Sequence, residues 1–227
     1  MPRAKPKQQI LPYRNLGGPR KGAGRKPKGK KAMVSHMARA PLGRSYPVHV
    51  TTKLLRGLPN LRTRPTYAVL REQFRKGCER FGFRLIHYSI QRDHLHLICE
   101  AKDRRAMSRG MQGLTIRIAK ALNRFWQRRG KVFADHYHDV ILRSPRQVRN
   151  ALAYVFHNAK KHGHRLSLPL DFFSSACWFD GWRERPEIAG KPCHDPPTAE
   201  GRTWLLNKGW RKSRLLSVFE APALAPP

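Results

Sequence analysis

Two imidazoles separated by one apolar residue, His94-Leu95-His96, form the first group whose spacing suits chemistry. On a β-strand the side chains at i and i+2 share a face, so both rings project together while Leu95 and Leu97 turn to the other side. Two nitrogens so placed can hold one divalent cation. The pattern alone is common. With 11 His in the chain, roughly half an occurrence is expected by chance, and His136-Tyr137-His138 and His162-Gly163-His164 also carry it. The first differs by standing on a hairpin strand whose polar and apolar sides are cleanly separated. The second group lies on a helix, where Tyr154 and Asn158 are i and i+4, one turn apart. A phenol beside a carboxamide ligand is the pair needed if a metal activates a phosphodiester and tyrosine attacks it. The same two residues also suit a tyrosine at a helix edge and an asparagine near a C-terminal cap.

The elements that must position these groups are legible from residue 46 onward. Residues 46–55 (YPVHVTTKLL) alternate around Val48 and Val50 as a strand. Thr63 and Pro65 mark a helix start, and Leu70, Phe74, Cys78 and Phe81 lie on one face of a helix that should stop at Gly82. Residues 83–90 and 94–100 are β-rich runs joined by Gln91-Arg92-Asp93, a hairpin. A long helix follows from Asp103, burying Met107, Met111, Leu114, Ile118, Leu122 and Phe125, with Gly110 and Gly113 permitting close approach to a sheet. Residues 131–142 read as a fourth strand. Ser144-Pro145 opens a last helix running to about Lys161 before Gly163, with Val148, Leu152, Val155 and Ala159 on its apolar side. The order β-α-β-β-α-β-α predicts an α+β, ferredoxin-like split βαβ fold. Its four-stranded antiparallel sheet would carry helices on one face and leave the other open, with the tyrosine-bearing helix at the C-terminal end.

Composition sets the partner. Forty-seven Lys and Arg against 14 Asp and Glu give a formal net charge of +33, which favours a polyanion, nucleic acid above all. The first acidic residue is Glu72, preceded by 18 Lys and Arg. Residues 1–45 therefore read as a disordered basic arm. Within it, Gly24-Arg25-Lys26-Pro27-Lys28-Gly29-Lys30-Lys31 resembles an AT-hook-like clamp, or a solvated tail for any phosphate backbone. Residues 46–163 would form the catalytic domain. Residues 164–227 would form a basic extension whose aromatics (Phe172, Phe173, Trp178, Phe179, Trp182, Trp204, Trp210) pack it against the domain or stack on bases. No run of 18 apolar residues exists and the basic N-terminus lacks an apolar h-region, so neither a membrane span nor a secretory signal is expected. The four cysteines, at 78, 99, 177 and 193, form no CxxC. Neither a zinc ribbon nor a disulfide framework is supported by that spacing, and a reducing, cytosolic setting is expected.

Taken together, His94-Leu95-His96 after a strand, the long helix, the strand with Phe133-Ala134-Asp135-His136-Tyr137-His138 and the helix with Tyr154-Val155-Phe156-His157-Asn158 resemble the single-tyrosine HUH transposases. These are the insertion-sequence-200-like family, including transposases associated with REP palindromes. The resemblance covers about residues 46–163. It implies Mg²⁺ or Mn²⁺ on His94, His96 and Asn158, Tyr154 as nucleophile, and single-stranded or hairpin DNA as partner. It also implies a bacterial, nucleoid-associated setting and a monomer or homodimer. In many relatives the tyrosine helix ends in an Asn-Pro-Val-Arg-Ala-like stretch; here it reads Asn158-Ala159-Lys160-Lys161-His162. Of the remaining histidines, His157, His138 and His136 are possible proton-transfer helpers, and His49 and His87 lie on neighbouring strands. Three other readings share many of these features: a domesticated protein that grips hairpin DNA or RNA without cutting, an RNA-binding ferredoxin-like domain, and a metal-dependent hydrolase using water instead of Tyr154. The RNA-binding reading requires exposed ring platforms on the central strands, which offer only Tyr88 besides the histidines.

Overall fold

Each long helix begins at a side chain able to accept an otherwise orphaned backbone N–H. Thr63 Oγ1 accepts from Thr66 N at 3.3 Å, Asp103 Oδ1 from Ala106 N at 2.7 Å and Ser144 Oγ from Gln147 N at 3.2 Å. The structure is a computed structural model that describes residues 39–161, 169–184 and 195–220. The elements are β1 (Val48–Lys53), α1 (Arg64–Gly77), β2 (Glu79–Arg80), β3 (Phe83–Ile90), β4 (His94–Ala101), α2 (Arg104–Phe125), β5 (His138–Ile141) and α3 (Pro145–Lys161). Short helical turns follow at Ser175–Trp178, Trp204–Asn207 and Gly209–Ser213. The AT-hook-like stretch 24–31, His162-Gly163-His164 and Cys193 lie outside the described residues.

The strands form one antiparallel sheet in the order β2-β3-β4-β1-β5. Without the two-residue β2, this is the expected split βαβ order. The sheet thus has five strands rather than four, because the expected first helix is shorter than its apolar spacing suggests. It ends at Gly77, Cys78 caps it, and Glu79–Arg80 turn back against β3. Phe81, placed by spacing on the buried helical face, is instead exposed in the turn. Phe125, at the end of α2, is also exposed. The last strand is shorter than the expected 131–142 as well: only residues 138–141 pair with β1, and Phe133 makes a single isolated bridge to Leu54.

Alternation divides the sheet. Val48, Val50, Leu85, Tyr88, Ile90, Leu95, Leu97 and Cys99 face α1 and α2 and pack with Leu70, Phe74, Met107, Met111, Leu114, Ile118 and Leu122. Tyr88 is buried on this side with its hydroxyl 3.0 Å from that of Tyr67, so it is no exposed ring platform. Gly110 of α2 lies so close to β3 that an added Cβ would stand 2.1 Å from Phe83 Cγ; at Gly113 an added Cβ would meet none of the described residues within 4 Å beyond its chain neighbours and its own helix backbone. Gly110→Ala should therefore destabilise the fold by about 1–3 kcal/mol through overpacking of a buried ring, and Gly113→Ala should not. Urea midpoints of the two variants test this; equal midpoints would refute the close approach.

The opposite face is not open. A β-bulge between Leu85 and His87 turns Ile86 toward that face, where it joins Ile98. Both pack beneath α3, together with Phe179, Trp182, Leu205, Leu206, Trp210, Leu216 and Val218 of the C-terminal extension. The expected packing of the extension's aromatics thus holds for these rings, and they close much of the sheet surface that a bare domain would expose. Among the described residues, no helix is long and apolar enough to cross a membrane.

Candidate active site

The face that carries α3 also carries the histidines. In β4 the residues on this side are His94, His96, Ile98 and Glu100; the register places Lys53, Thr51 and His49 of β1 opposite the first three. Ser89 of β3 pairs with His96 from the other side. The His94 and His96 rings meet edge to face with centroids 4.8 Å apart.

Both rings are held through Nδ1. His94 Nδ1 lies 2.7 Å from Asp93 Oδ1. A donated Nδ1–H in that bond puts the ring's basic lone pair on Nε2 and orients it, the arrangement found behind metal-binding imidazoles. Burial pushes the Asp93 carboxyl up, but the hydrogen bond with His94 and nearby Lys53 outweigh it and hold the group below its usual range. His96 is 3% exposed, and its Nδ1 lies 3.1 Å from Thr51 Oγ1 and 3.3 Å from His49 Nε2. His49 stacks on His96 at 5.3 Å, and burial followed by the neighbouring His138 lowers its pKa to about 4. A neutral His49 can accept from His96 Nδ1–H, which again places the basic nitrogen at Nε2.

Helix α3 brings Tyr154 to these rings. Its centroid is 5.0 Å from His96 and 5.7 Å from His49, edge-on to both. The Lys161 ammonium lies over the Tyr154 ring, 5.0 Å from its centroid. Burial raises the pKa of the Tyr154 hydroxyl, so the phenol is protonated near neutral pH and must lose its proton as it attacks anything. Asn158, one turn on, is fully buried, and among the described residues neither Oδ1 nor Nδ2 has a hydrogen-bond partner. Each such atom costs about 1–3 kcal/mol unless something else satisfies it. A buried carboxamide oxygen one helical turn from Tyr154 and two imidazoles fixed for Nε2 donation are donor types that fit a divalent cation. Among the described residues no cluster of three His, Cys, Asp or Glu could hold a metal, so a cation on His94 and His96 would need a further ligand of another type, such as a carboxamide.

The other histidines divide. His138, in β5, is exposed opposite Thr51 on the same face; His136 is exposed outside the strand. His157 turns away from the site to the Trp182 ring at 5.7 Å, and His87 sits between Phe156 and Phe179 at 5.1 and 5.5 Å. Burial lowers both to about 4; for His157 the nearby Lys160 adds to the effect. In the unfolded chain they titrate near 6.5. Their folded pKa values being depressed, the stability they contribute is complete above about pH 6.5 and is lost as pH falls toward 4, where the unfolded chain takes up protons that the folded one refuses. The urea midpoint should therefore drop between pH 7 and pH 4.5, and drop less in His157→Gln; a flat profile would contradict the burial of both rings.

Sequence reasoning singled out His94, His96, Tyr154 and Asn158 and gave no role to Asp93, Thr51 or His49. Asp93 was readable as the neighbour of His94. Thr51 and His49 depend on the β1–β4 register, which no local pattern reports.

Residues 58–158 match the family described as IS200-like transposases. The structure is similar to that of a REP-associated tyrosine transposase bound to a REP hairpin, with a TM-score of 0.52 and 18% identity over 63% of this chain and 83% of that one. It also matches a crystal structure assigned as a transposase from Deinococcus radiodurans R1, at a TM-score of 0.36 and 13% identity over 48% of this chain and 85% of that one. No curated protein matches the sequence.

Proposed function

We propose, from the match of residues 58–158 to the IS200-like transposase family, that this chain cuts and rejoins single-stranded, hairpin-flanked DNA through a 5′-phosphotyrosine at Tyr154. The observation that carries this reading is the meeting of Tyr154 with His96 at 5.0 Å, one helical turn before the buried, unpartnered amide of Asn158. His94, His96 and Asn158 would hold the Mg²⁺ or Mn²⁺; when bound, such an ion supplies positive charge to a scissile phosphate and its departing oxygen.

The residues do the rest. Tyr154 Oη forms a bond to phosphorus as its proton leaves, and the phosphorus–O3′ bond breaks, releasing a 3′-hydroxyl once that oxygen is protonated. Attack by a 3′-hydroxyl on the phosphotyrosine reverses the exchange, restoring the phenol and joining the strand. Asp93 and Thr51 keep the two imidazoles turned for ligation. The packing of α3 against the extension fixes the phenol beside them. A net charge of +33 supports a polyanionic substrate, and binding should weaken steeply with salt.

The test is covalent trapping. Labelled single-stranded DNA carrying hairpins from the flanks of the protein's own gene, incubated with Mn²⁺, should give a denaturant-resistant protein–DNA band that EDTA prevents. Tight, salt-sensitive binding without any adduct would replace this reading with a non-catalytic hairpin-binding one. Cleavage without an adduct would point to water as the nucleophile.

A further inference from the structure

The β2–β3 turn consists of Phe81 and Gly82, at φ 52° and 79°. Positive φ at both central residues belongs to a tight hairpin turn whose first position favours Asn, Asp or Gly. A bulky aromatic there is a conformational outlier. Nothing in the fold compensates it by burial: Phe81 is 79% exposed. An outlier retained at an exposed tip motivates a search for what the side chain does there.

Its surroundings are cationic. The Arg80 guanidinium lies 6.0 Å over the Phe81 ring. Lys102, Asp103, Arg105, Ala106 and Arg109 line, with Phe81, a cleft of about 360 Å³. Lys102, Arg105 and Arg109 are exposed. The one acid in the cleft, Asp103, is engaged as the cap of α2, accepting from Ala106 N at 2.7 Å. Lys102 is braced along the turn, its backbone N–H donating to Gly82 O at 3.0 Å. A flat apolar face among four cations, beside a cleft of ligand size, matches an unpaired base flanked by phosphates. Stacking supplies the contact to the base and the cations supply that to the backbone.

We propose that Phe81, with Arg80, Lys102, Arg105 and Arg109, forms a second nucleic-acid subsite that stacks one unpaired base of the DNA. The inference rests on the DNA-transposase reading above and adds a contact remote from the chemistry. The β3–β4 ladder runs from Phe83 opposite Ala101 to Ile90 opposite Leu95, so Phe81 and His94 stand at opposite ends of the strand pair. Eight residues at about 3.3 Å each separate them by about 25 Å. The base held at Phe81 therefore lies several nucleotides from the phosphate at Tyr154.

Phe81→Asn tests it. Asn suits the turn, so this variant should be at least as resistant to urea as the wild-type chain, while its affinity for the hairpin oligonucleotide should fall about five-fold or more. The salt slope should stay unchanged, because no charge is lost; Arg105→Ala and Arg109→Ala should each reduce it by about one. Phe81→Trp should restore binding. Abasic substitution along the oligonucleotide should weaken wild-type binding at one position outside the cut site and have no further effect there in Phe81→Asn. Unchanged affinity of Phe81→Asn, or abasic insensitivity at every unpaired position, would overturn the subsite. Adduct formation at Tyr154 is scored in the same samples: adduct with unchanged affinity defeats the subsite alone, whereas neither adduct nor DNA binding from the wild-type chain defeats both proposals.

Discussion

Tyr154→Phe should leave DNA binding within about two-fold of wild type and abolish the covalent adduct. The substitution removes one oxygen from a side chain whose ring contacts, with His96 at 5.0 Å and His49 at 5.7 Å, are made by the ring itself. Among the described residues the hydroxyl makes no hydrogen bond that the substitution would remove, so the fold should be unaffected. The chemistry has no substitute, since a phenyl ring cannot form a phosphoester. A variant that still forms an adduct at the wild-type rate would remove Tyr154 from the mechanism.

His94→Ala and Asn158→Ala should reach the same end by another route, with adduct falling at least about 100-fold, and they differ in stability. Asn158 is buried with both amide atoms unpartnered. Its replacement by an apolar side chain removes an unsatisfied group and should hold or raise the urea midpoint. Stability gained together with activity lost is the signature of a residue kept for its chemistry. Mn²⁺ binding, followed by calorimetry on the variants, separates loss of the cation from loss of the nucleophile: Tyr154→Phe should bind it as the wild type does, Asn158→Ala should not. Calorimetry showing equal Mn²⁺ affinity in Asn158→Ala would remove the amide from the donor set.

How far the sequence carries can be traced element by element. Thr63, Asp103 and Ser144 announce their helices because a cap is a local device, one side chain reaching its own backbone three residues on. The two-residue period of 94–101 exposes the pairing of His94 with His96 for the same reason. The end of α1 was hidden because Cys78 and Phe81 continue the helical spacing while the backbone has already turned at Phe81-Gly82. Residues 131–137 have strand composition, yet Asp135 Oδ1 accepts from His136 N at 2.8 Å, a local bond that competes with ladder pairing. The covered sheet face was out of reach altogether. It depends on partners far apart in the chain: Glu100 receives the backbone N–H groups of Arg202 and Thr203, and Asp171 takes a bidentate pair from Arg62. No period in the extension hints at these contacts.

The extension also sets the second large effect. Arg149, on α3, donates to both carboxylate oxygens of Glu220 at 2.6 Å, with the two side chains 7% and 19% exposed. At the other end of the helix, Lys160 Nζ donates to Val218 O at 2.6 Å. Tyr154 lies between these two attachments, so residues 218–220 hold the helix that carries it. Burial works against the Glu220 carboxylate, yet Arg149 more than offsets it and keeps the pKa below the usual range; that contribution is present above the ordinary carboxylate pKa and disappears as pH falls through the folded one. Removing one member leaves the other buried without its counter-charge, and Arg149→Ala or Glu220→Ala should each cost about 3–5 kcal/mol, toward the lower end because Glu220 is partly wet. The double variant Arg149→Met, Glu220→Leu replaces both charges by apolar volume and should recover most of that loss. Adduct formation should follow the same order, reduced in the singles and restored in the double, because it is the seating of α3 and not the charges that Tyr154 requires. Urea unfolding and trapping on the same four proteins decide it: singles costing under about 1 kcal/mol would make this pair no stronger than an exposed one, and a stable double variant without adduct would show that the charges act on the substrate directly.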